Sequence, residues 1–172
     1  MLMAAAGLAL AGQTGAQAQA SVEYPVKAAF LFKFGSFVDW PPVAFGQPTG
    51  PLIVCVVGRD PFGETLDRTV QGATVGARTV SVRRLSTVNE RSGCNIAFLG
   101  GSAEQSIADS VKALASAPVL TVTDDARPMA RGKINFLIRE NHVRFEIDQK
   151  SASASGLTIS SKLLNLAVSV RQ

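Results

Sequence analysis

The chain has few of the residues from which catalytic and metal sites are built. Its 172 residues include one histidine, His142, and two cysteines, Cys55 and Cys94. A Ser–His–Asp or Cys–His arrangement would have to use that one imidazole, which falls in a predicted hairpin turn. A structural zinc site needs several Cys or His ligands, and only these three exist. We therefore expect no enzyme, no metal site and no cofactor.

The sequence also lacks a run of basic residues. Its 17 basic and 13 acidic side chains give a formal charge of +4 and are spread along the chain. A protein that tracks a phosphate backbone carries clustered positive charge, so we expect no nucleic-acid partner. The mild excess could favour an acidic protein surface or anionic headgroups, but soluble domains carry as much for colloidal stability.

No apolar segment is long enough to cross a membrane. The N-terminal run over residues 2–10 is short, and small and polar residues follow it up to Ala20. The ending Ala-Gln-Ala-Gln-Ala offers signal peptidase two sites, after Ala18 and after Ala20. We predict an export signal over residues 1–20, although no Lys or Arg precedes the run; a disordered tail is the alternative. Residues 21–172 then form one soluble domain.

Apolar periodicity predicts an α/β fold with a mostly parallel central sheet, flanking helices and an antiparallel hairpin at one edge. The unbroken apolar run Leu52–Val57 is typical of a central strand. The predicted helices are Val22–Val38, Glu64–Val70, Ala103–Ser116 and Ser160–Val168. The other predicted strands are Arg78–Leu85, Cys94–Leu99 and Val119–Thr123, and the hairpin joins Ile134–Ile138 to Val143–Ile147.

Cys55 and Cys94 fall in two predicted strands of this sheet. If those strands are neighbours in a doubly wound order, a bridge between the two cysteines is geometrically plausible. In an oxidising compartment the two thiols would pair. The alternative is two buried free thiols that act as small hydrophobic side chains.

A second kind of site would use the loop from Gly58 to Gly63, which follows a strand and precedes a helix. In α/β folds this position places phosphates on backbone N–H groups, and the residues concerned are Gly58, Arg59, Asp60 and Gly63. The loop lacks both a Gly-Lys-Ser/Thr ending and a G-x-G-x-x-G pattern. A βα turn explains its glycines equally well. A small anionic ligand here is the alternative to protein binding.

Several motifs along the chain form a recognisable pattern: YPVKAAFLFKF at 24–34, FVDWP at 37–41, CVVGRDPFG at 55–63, GAR at 76–78, the predicted strand that opens at Cys94, VLTV at 119–122, VRFEI at 143–147 and GLTISSKLL at 156–164. This pattern resembles the YfiR family, and the resemblance covers residues 24–167. It implies a disulfide between Cys55 and Cys94. Some members carry a second cysteine pair near the hairpin, which this chain lacks.

The resemblance implies a periplasmic negative regulator of an inner-membrane diguanylate cyclase of the YfiN type. Such a regulator binds the periplasmic sensor domain of the cyclase and lowers cyclic di-GMP signalling. An outer-membrane lipoprotein of the YfiB type would release it and favour biofilm formation. Whether the chain forms a homodimer stays open.

A protein-binding surface needs exposed apolar or aromatic anchors. The candidates are Trp40 and Pro41 at the end of the first predicted helix, Phe62 in the loop from Gly58 to Gly63, and Leu157, Ile159 and Leu163 in the C-terminal segment. Core packing is the alternative for each of these side chains.

Overall fold

The computed structural model describes residues 14–124 and 126–172, with side chains from residue 22 onwards. The helices are α1 (Thr14–Lys33), α2 (Glu64–Val70), α3 (Ile107–Ala113), α4 (Gln149–Ala154) and α5 (Ser161–Leu164). The strands are β1 (Val38–Asp39), β2 (Leu52–Gly58), β3 (Thr74–Val75), β4 (Arg78–Leu85), β5 (Ile96–Gly101), β6 (Leu120–Asp124), β7 (Ile134–Arg139), β8 (His142–Asp148), β9 (Thr158–Ile159) and β10 (Ser169–Arg171).

Eight strands form the central sheet in the order β10-β8-β7-β6-β5-β2-β4-β3. The five neighbouring strands β4, β2, β5, β6 and β7 are parallel. Successive strands are added to one side of β2 up to β4 and to its other side from β5 onwards. This is a doubly wound order with its topological switch point at β2 and β5. The predicted α/β class and mostly parallel sheet are confirmed.

The two faces of the sheet carry separate parts of the core. Because side chains alternate along a strand, Val54 and Val56 of β2 join the cluster that packs against α1 and α2. Cys55 and Val57 point to the opposite face and join the smaller cluster that contains Leu114 after α3. The apolar run of β2 is therefore explained by cover on both faces.

The antiparallel hairpin lies towards one end of the sheet. β7 pairs with β8 from Ile134 opposite Ile147 to Arg139 opposite His142. The turn residues Glu140 and Asn141 have φ values of 48° and 61°, as a two-residue type I′ turn requires. The short strand β10 adds in parallel outside β8.

The first helix ends earlier than its apolar spacing predicts. α1 stops at Lys33, residues Phe34–Phe37 form a 3-10 turn, and Val38 is extended and pairs with Ile159 of β9. The prediction up to Val38 is wrong because the 3-10 turn and the helix bury apolar residues at similar spacing. Residues 1–13 of the predicted export signal lie outside the described residues, and both predicted cleavage sites fall within α1.

The third helix is also shorter than predicted. The hydroxyl of Ser102 accepts hydrogen bonds from the backbone N–H groups of Glu104 and Gln105 and holds them in a turn. Ser106 then caps α3 by accepting a bond from Asp109 N at 3.1 Å. The predicted start at Ala103 is wrong because these serine side chains compete with the helical bonds.

The predicted C-terminal helix, Ser160–Val168, is present only as the single turn α5. Ser160 caps its start, and the chain leaves the helix after Leu164. Val168 N then donates to Phe145 O at 3.0 Å and leads into β10. Pairing with the exposed edge of β8 replaces the second helical turn, and three residues are too few to show a strand period in the sequence.

Candidate functional site

Cys55 and Cys94 form a disulfide with their Cα atoms 5.7 Å apart, which confirms the predicted pairing. Cys55 lies in β2, but Cys94 precedes β5, so its placement in a strand is wrong. Asn95 brings the two segments together, because Ile53 N donates to Asn95 Oδ1 at 2.8 Å and Asn95 N donates to Ile53 O at 2.9 Å. Both cysteines are buried in the cluster beneath α3.

The turn after β2 is held by its own aspartate. Asp60 Oδ1 accepts hydrogen bonds from Phe62 N at 2.7 Å and from Gly63 N at 3.1 Å. Arg59 N donates to Gly101 O at 2.9 Å. These backbone donors are those that a phosphate would need, and each already has an acceptor.

A guanidinium fixes the far side of the same turn. Arg84 of β4 donates to Asp60 Oδ2 at 2.7 Å, to Asp67 Oδ2 at 2.6 Å and to Gly63 O at 2.9 Å. The hydrogen bond from Arg84 holds the pKa of Asp67 below its usual value. Gly58 lies where the turn meets β5: a Cβ there would stand 2.2 Å from Gly101 O. Packing and turn geometry therefore account for Gly58, Asp60 and Gly63.

A buried lysine joins α1 to the end of β6. Lys27 is 1% exposed, and its ammonium donates to Asp124 Oδ1 at 2.6 Å, to Asp124 Oδ2 at 2.7 Å and to Glu23 Oε1. Burial lowers the pKa of Lys27, but the hydrogen bonds and charges of Asp124 and Glu23 outweigh it and raise the pKa above its usual value. Lys27 is therefore a charged structural link.

This link borders a cavity of about 540 Å³ at the carboxyl ends of the parallel strands. Arg59 and Pro61 reach it from the turn after β2, Leu99 and Gly100 from β5, and Arg139 from β7. Of the four residues predicted for a ligand, the cavity lining includes only Arg59.

A second buried lysine has a different environment. Lys133 is 3% exposed and donates to the backbone oxygens of Val119 at 2.8 Å, Ala117 at 3.3 Å and Leu114 at 3.4 Å. Burial lowers its pKa to about 8, against a smaller opposing effect from the charge of Asp148. Its hydrogen bonds secure the connection between α3 and β6.

Four of the six predicted partner-binding residues lie in the core. Phe62 is 4% exposed, Leu157 1%, Ile159 6% and Leu163 2%. Phe62 packs edge-on against Phe98, with ring centroids 4.7 Å apart. Apolar spacing cannot separate a core side chain from an exposed anchor. In this conformation these four side chains present no surface to a partner.

Trp40 and Pro41 are half-buried and begin an exposed loop over residues 40–45, which we call the Trp40 loop. Trp40 packs edge-on against Phe45 with centroids 6.1 Å apart, and Val43 between them is 82% exposed. Trp40 Nε1 is buried, and no acceptor for it lies among the residues that the structure describes.

A second apolar surface lies between α1 and the β7–β8 hairpin. This groove of about 520 Å³ is lined by Val22, Val26, Phe30, Ile138 and Val143, and His142 also belongs to the lining. The single histidine is exposed, and its Nδ1 lies 2.6 Å from Glu140 O.

Among the described residues, no helix is long and apolar enough to span a bilayer. In the same residues, no group of three or more His, Cys, Asp or Glu side chains is arranged to hold a metal ion. Asp124 instead accepts hydrogen bonds from Lys27, and Asp125 is not described.

The Lys27 link and the cavity beside it were not predicted from the sequence. The spacing of Glu23 and Lys27 is a helical i, i+4 pair that usually indicates a solvated surface. The sequence does not reveal that the end of β6 lies beside that helix, where Asp124 accepts hydrogen bonds from Lys27.

The fold and these sites define a doubly wound α/β domain, with a disulfide between β2 and the segment that precedes β5 and a charged cavity at the strand ends. The chain belongs to the YfiR/HmsC-like family, whose model matches residues 24–168. The predicted family is thereby confirmed. No curated protein matches the chain.

Proposed function

We propose that the protein is a periplasmic regulator that represses an inner-membrane diguanylate cyclase by binding its periplasmic sensor domain. Membership in the YfiR/HmsC-like family is the observation that carries this proposal. The predicted export signal and the disulfide fit an oxidising compartment. Release by an outer-membrane lipoprotein would raise cyclic di-GMP and favour biofilm formation.

We further propose the Trp40 loop as the docking surface. It retains the two predicted anchors that stay accessible, Trp40 and Pro41, and it adds the exposed side chains of Pro42 and Val43. Exposed apolar side chains on a small patch are typical of protein-binding sites.

The loop is held in place before any partner arrives. The guanidinium of Arg78 lies 3.6 Å from the ring centroid of Phe45 and donates to the backbone oxygens of Pro48 and Gly50. Asn95 Nδ2 donates to Ala44 O at 2.8 Å. A preorganised loop loses little conformational entropy on binding, which favours affinity.

The proposal is tested by measuring cyclic di-GMP in the native cell. We expect deletion of the gene to raise the nucleotide and the wild-type gene to restore the low level. Val43→Asp should fail to restore it, because a carboxylate would be desolvated at the interface. Met129→Asp is the matched control, since Met129 is 91% exposed on a turn beside α3. Unchanged cyclic di-GMP after deletion would refute the proposed function.

A further inference from the structure

The cavity at the strand ends lies where doubly wound folds bind ligands. Its floor is formed by Phe98, Leu99 and Gly100 of β5, beside the turn that follows β2. The sheet order reverses between these two strands, and the crevice outside their carboxyl ends is the general ligand position in such sheets. Its volume of about 540 Å³ is that of a small-molecule site and far exceeds a bare ion.

Most charges around the cavity are already matched. All three bonds described for the Lys27 ammonium go to Asp124 and Glu23. Arg131 lies 2.7 Å from Glu146 Oε2 and also donates to Ala126 O at 3.1 Å. These groups hold the wall of the cavity in place and have little capacity left for a ligand.

Two guanidinium groups on the rim differ from the rest. Arg59 and Arg139 both line the cavity and are exposed. Among the residues that the structure describes, neither has a carboxylate within ion-pair distance. Arginine binds carboxylates and other oxyanions in a bidentate geometry, so two such groups at one mouth favour an anion.

Apart from Asn135, the remaining lining is apolar. Tyr24 of α1, Pro61 of the turn and Ile138 of β7 are among its accessible side chains. Tyr24 is fixed by an edge-on contact with Phe62 at 5.9 Å between centroids. A ligand that fills this space would place an apolar body against these side chains.

We propose that this cavity binds a small organic anion, with its carboxylate held by Arg59 and Arg139 and its apolar body on Tyr24, Pro61 and Ile138. The site differs from the one predicted from the sequence. There the backbone of the Gly58–Gly63 turn would hold the anion, whereas its donors are occupied by Asp60 and Gly101. Binding at this site does not require the cyclase to be the partner.

The test compares phenylacetate with its neutral counterpart phenylacetamide by NMR titration of the ¹⁵N-labelled protein. Phenylacetate should shift the amide signals of Arg59, Gly100 and Arg139 saturably, with a dissociation constant of about 1 mM or tighter. Phenylacetamide should bind at least about tenfold more weakly, since it lacks the charge.

Arg59→Gln and Arg139→Gln should each weaken phenylacetate binding about tenfold and leave the rest of the spectrum unchanged, because substitutions of exposed residues barely affect stability. Arg91→Gln is the matched control, an exposed arginine outside the cavity lining. The proposal is overturned by equal affinity for the two compounds, by wild-type affinity in both cavity variants, by shifts confined to the groove beside α1, or by no saturable shift at about 10 mM.

Discussion

At the scale of single residues, Lys27 is the most consequential side chain in the structure. One ammonium group lies between two carboxylates, on α1 and on β6, and is 1% exposed. Burying a charge is costly unless it is paired. Lys27 is paired with both Glu23 and Asp124, so the removal of its ammonium leaves two carboxylates without a cation. The helix is thus tied to the sheet at the cavity.

We predict that Lys27→Met lowers the free energy of unfolding by about 3 kcal/mol, because Glu23 and Asp124 are left without their cation. Urea unfolding at neutral pH measures the effect. The triple variant Glu23→Gln, Lys27→Met, Asp124→Asn removes all three charges and should recover part of the loss. A loss below about 1 kcal/mol in the single variant would show that the link is not structural.

The pKa of Lys27 gives the sign of its pH dependence. Because the folded pKa is raised above the usual 10.5, the stabilisation is complete below that pH and is lost as pH rises through the folded value.

Lys133 predicts the opposite pH dependence. Its pKa is about 8 in the folded protein against 10.5 for a free lysine, so between these values the unfolded chain binds a proton that the folded chain has released. Stability should therefore rise with pH across that window, by about 3 kcal/mol for this one group. The measurement is the difference in unfolding free energy between wild type and Lys133→Met from pH 7 to pH 10. A difference that does not change with pH would contradict the lowered pKa.

At the scale of elements, the disulfide ties the segment that precedes β5 to the middle of β2. Its sequence separation is 39 residues, and the chain-entropy model gives about 4 kcal/mol of stabilisation for a loop of that length. This is a large fraction of the stability of a typical domain.

We predict that the double variant Cys55→Ala, Cys94→Ala loses about 4 kcal/mol of unfolding free energy and keeps the fold. Urea unfolding of this variant, and of wild type unfolded and refolded with reductant, should give the same value. Agreement between the two is the control for the alanine substitutions themselves. A loss below about 1 kcal/mol would mean that the loop is already constrained by other contacts.

The sequence predicts some elements to the residue and misplaces others for identifiable reasons. α2 and β4 have the predicted bounds because a turn with Asp60 and Gly63 precedes the first and Gly76 precedes the second. α3 was predicted too long because Ser102 and Ser106 form turn and cap bonds that apolar spacing does not reveal. β10 depends on the edge of β8, which is a tertiary effect.

At the scale of the whole molecule, the cysteine pair could be predicted on one condition. If the strands predicted for Cys55 and Cys94 are neighbours in a doubly wound order, the two residues come within reach, and the sheet does place β2 beside β5. The candidate site could not be predicted in the same way. The cavity assembles residues from α1, the turn after β2, β5, β6 and β7, and only the folded sheet brings Lys27, Asp124 and Arg139 together.

The proposed regulator presents two separate surfaces. The Trp40 loop precedes β2 and meets the amino end of β5 through Asn95, whereas the cavity lies at the carboxyl ends of those strands. A partner bound to the loop and a small anion bound in the cavity would therefore lie at opposite ends of the central strands.

Binding to a diguanylate cyclase can be tested by affinity capture from native membranes with the C-terminally tagged protein, followed by mass spectrometry. We expect wild type and Met129→Asp to recover a membrane diguanylate cyclase and Val43→Asp to lose it. If the folded, oxidised wild-type protein recovers no diguanylate cyclase, the proposed regulator function is wrong.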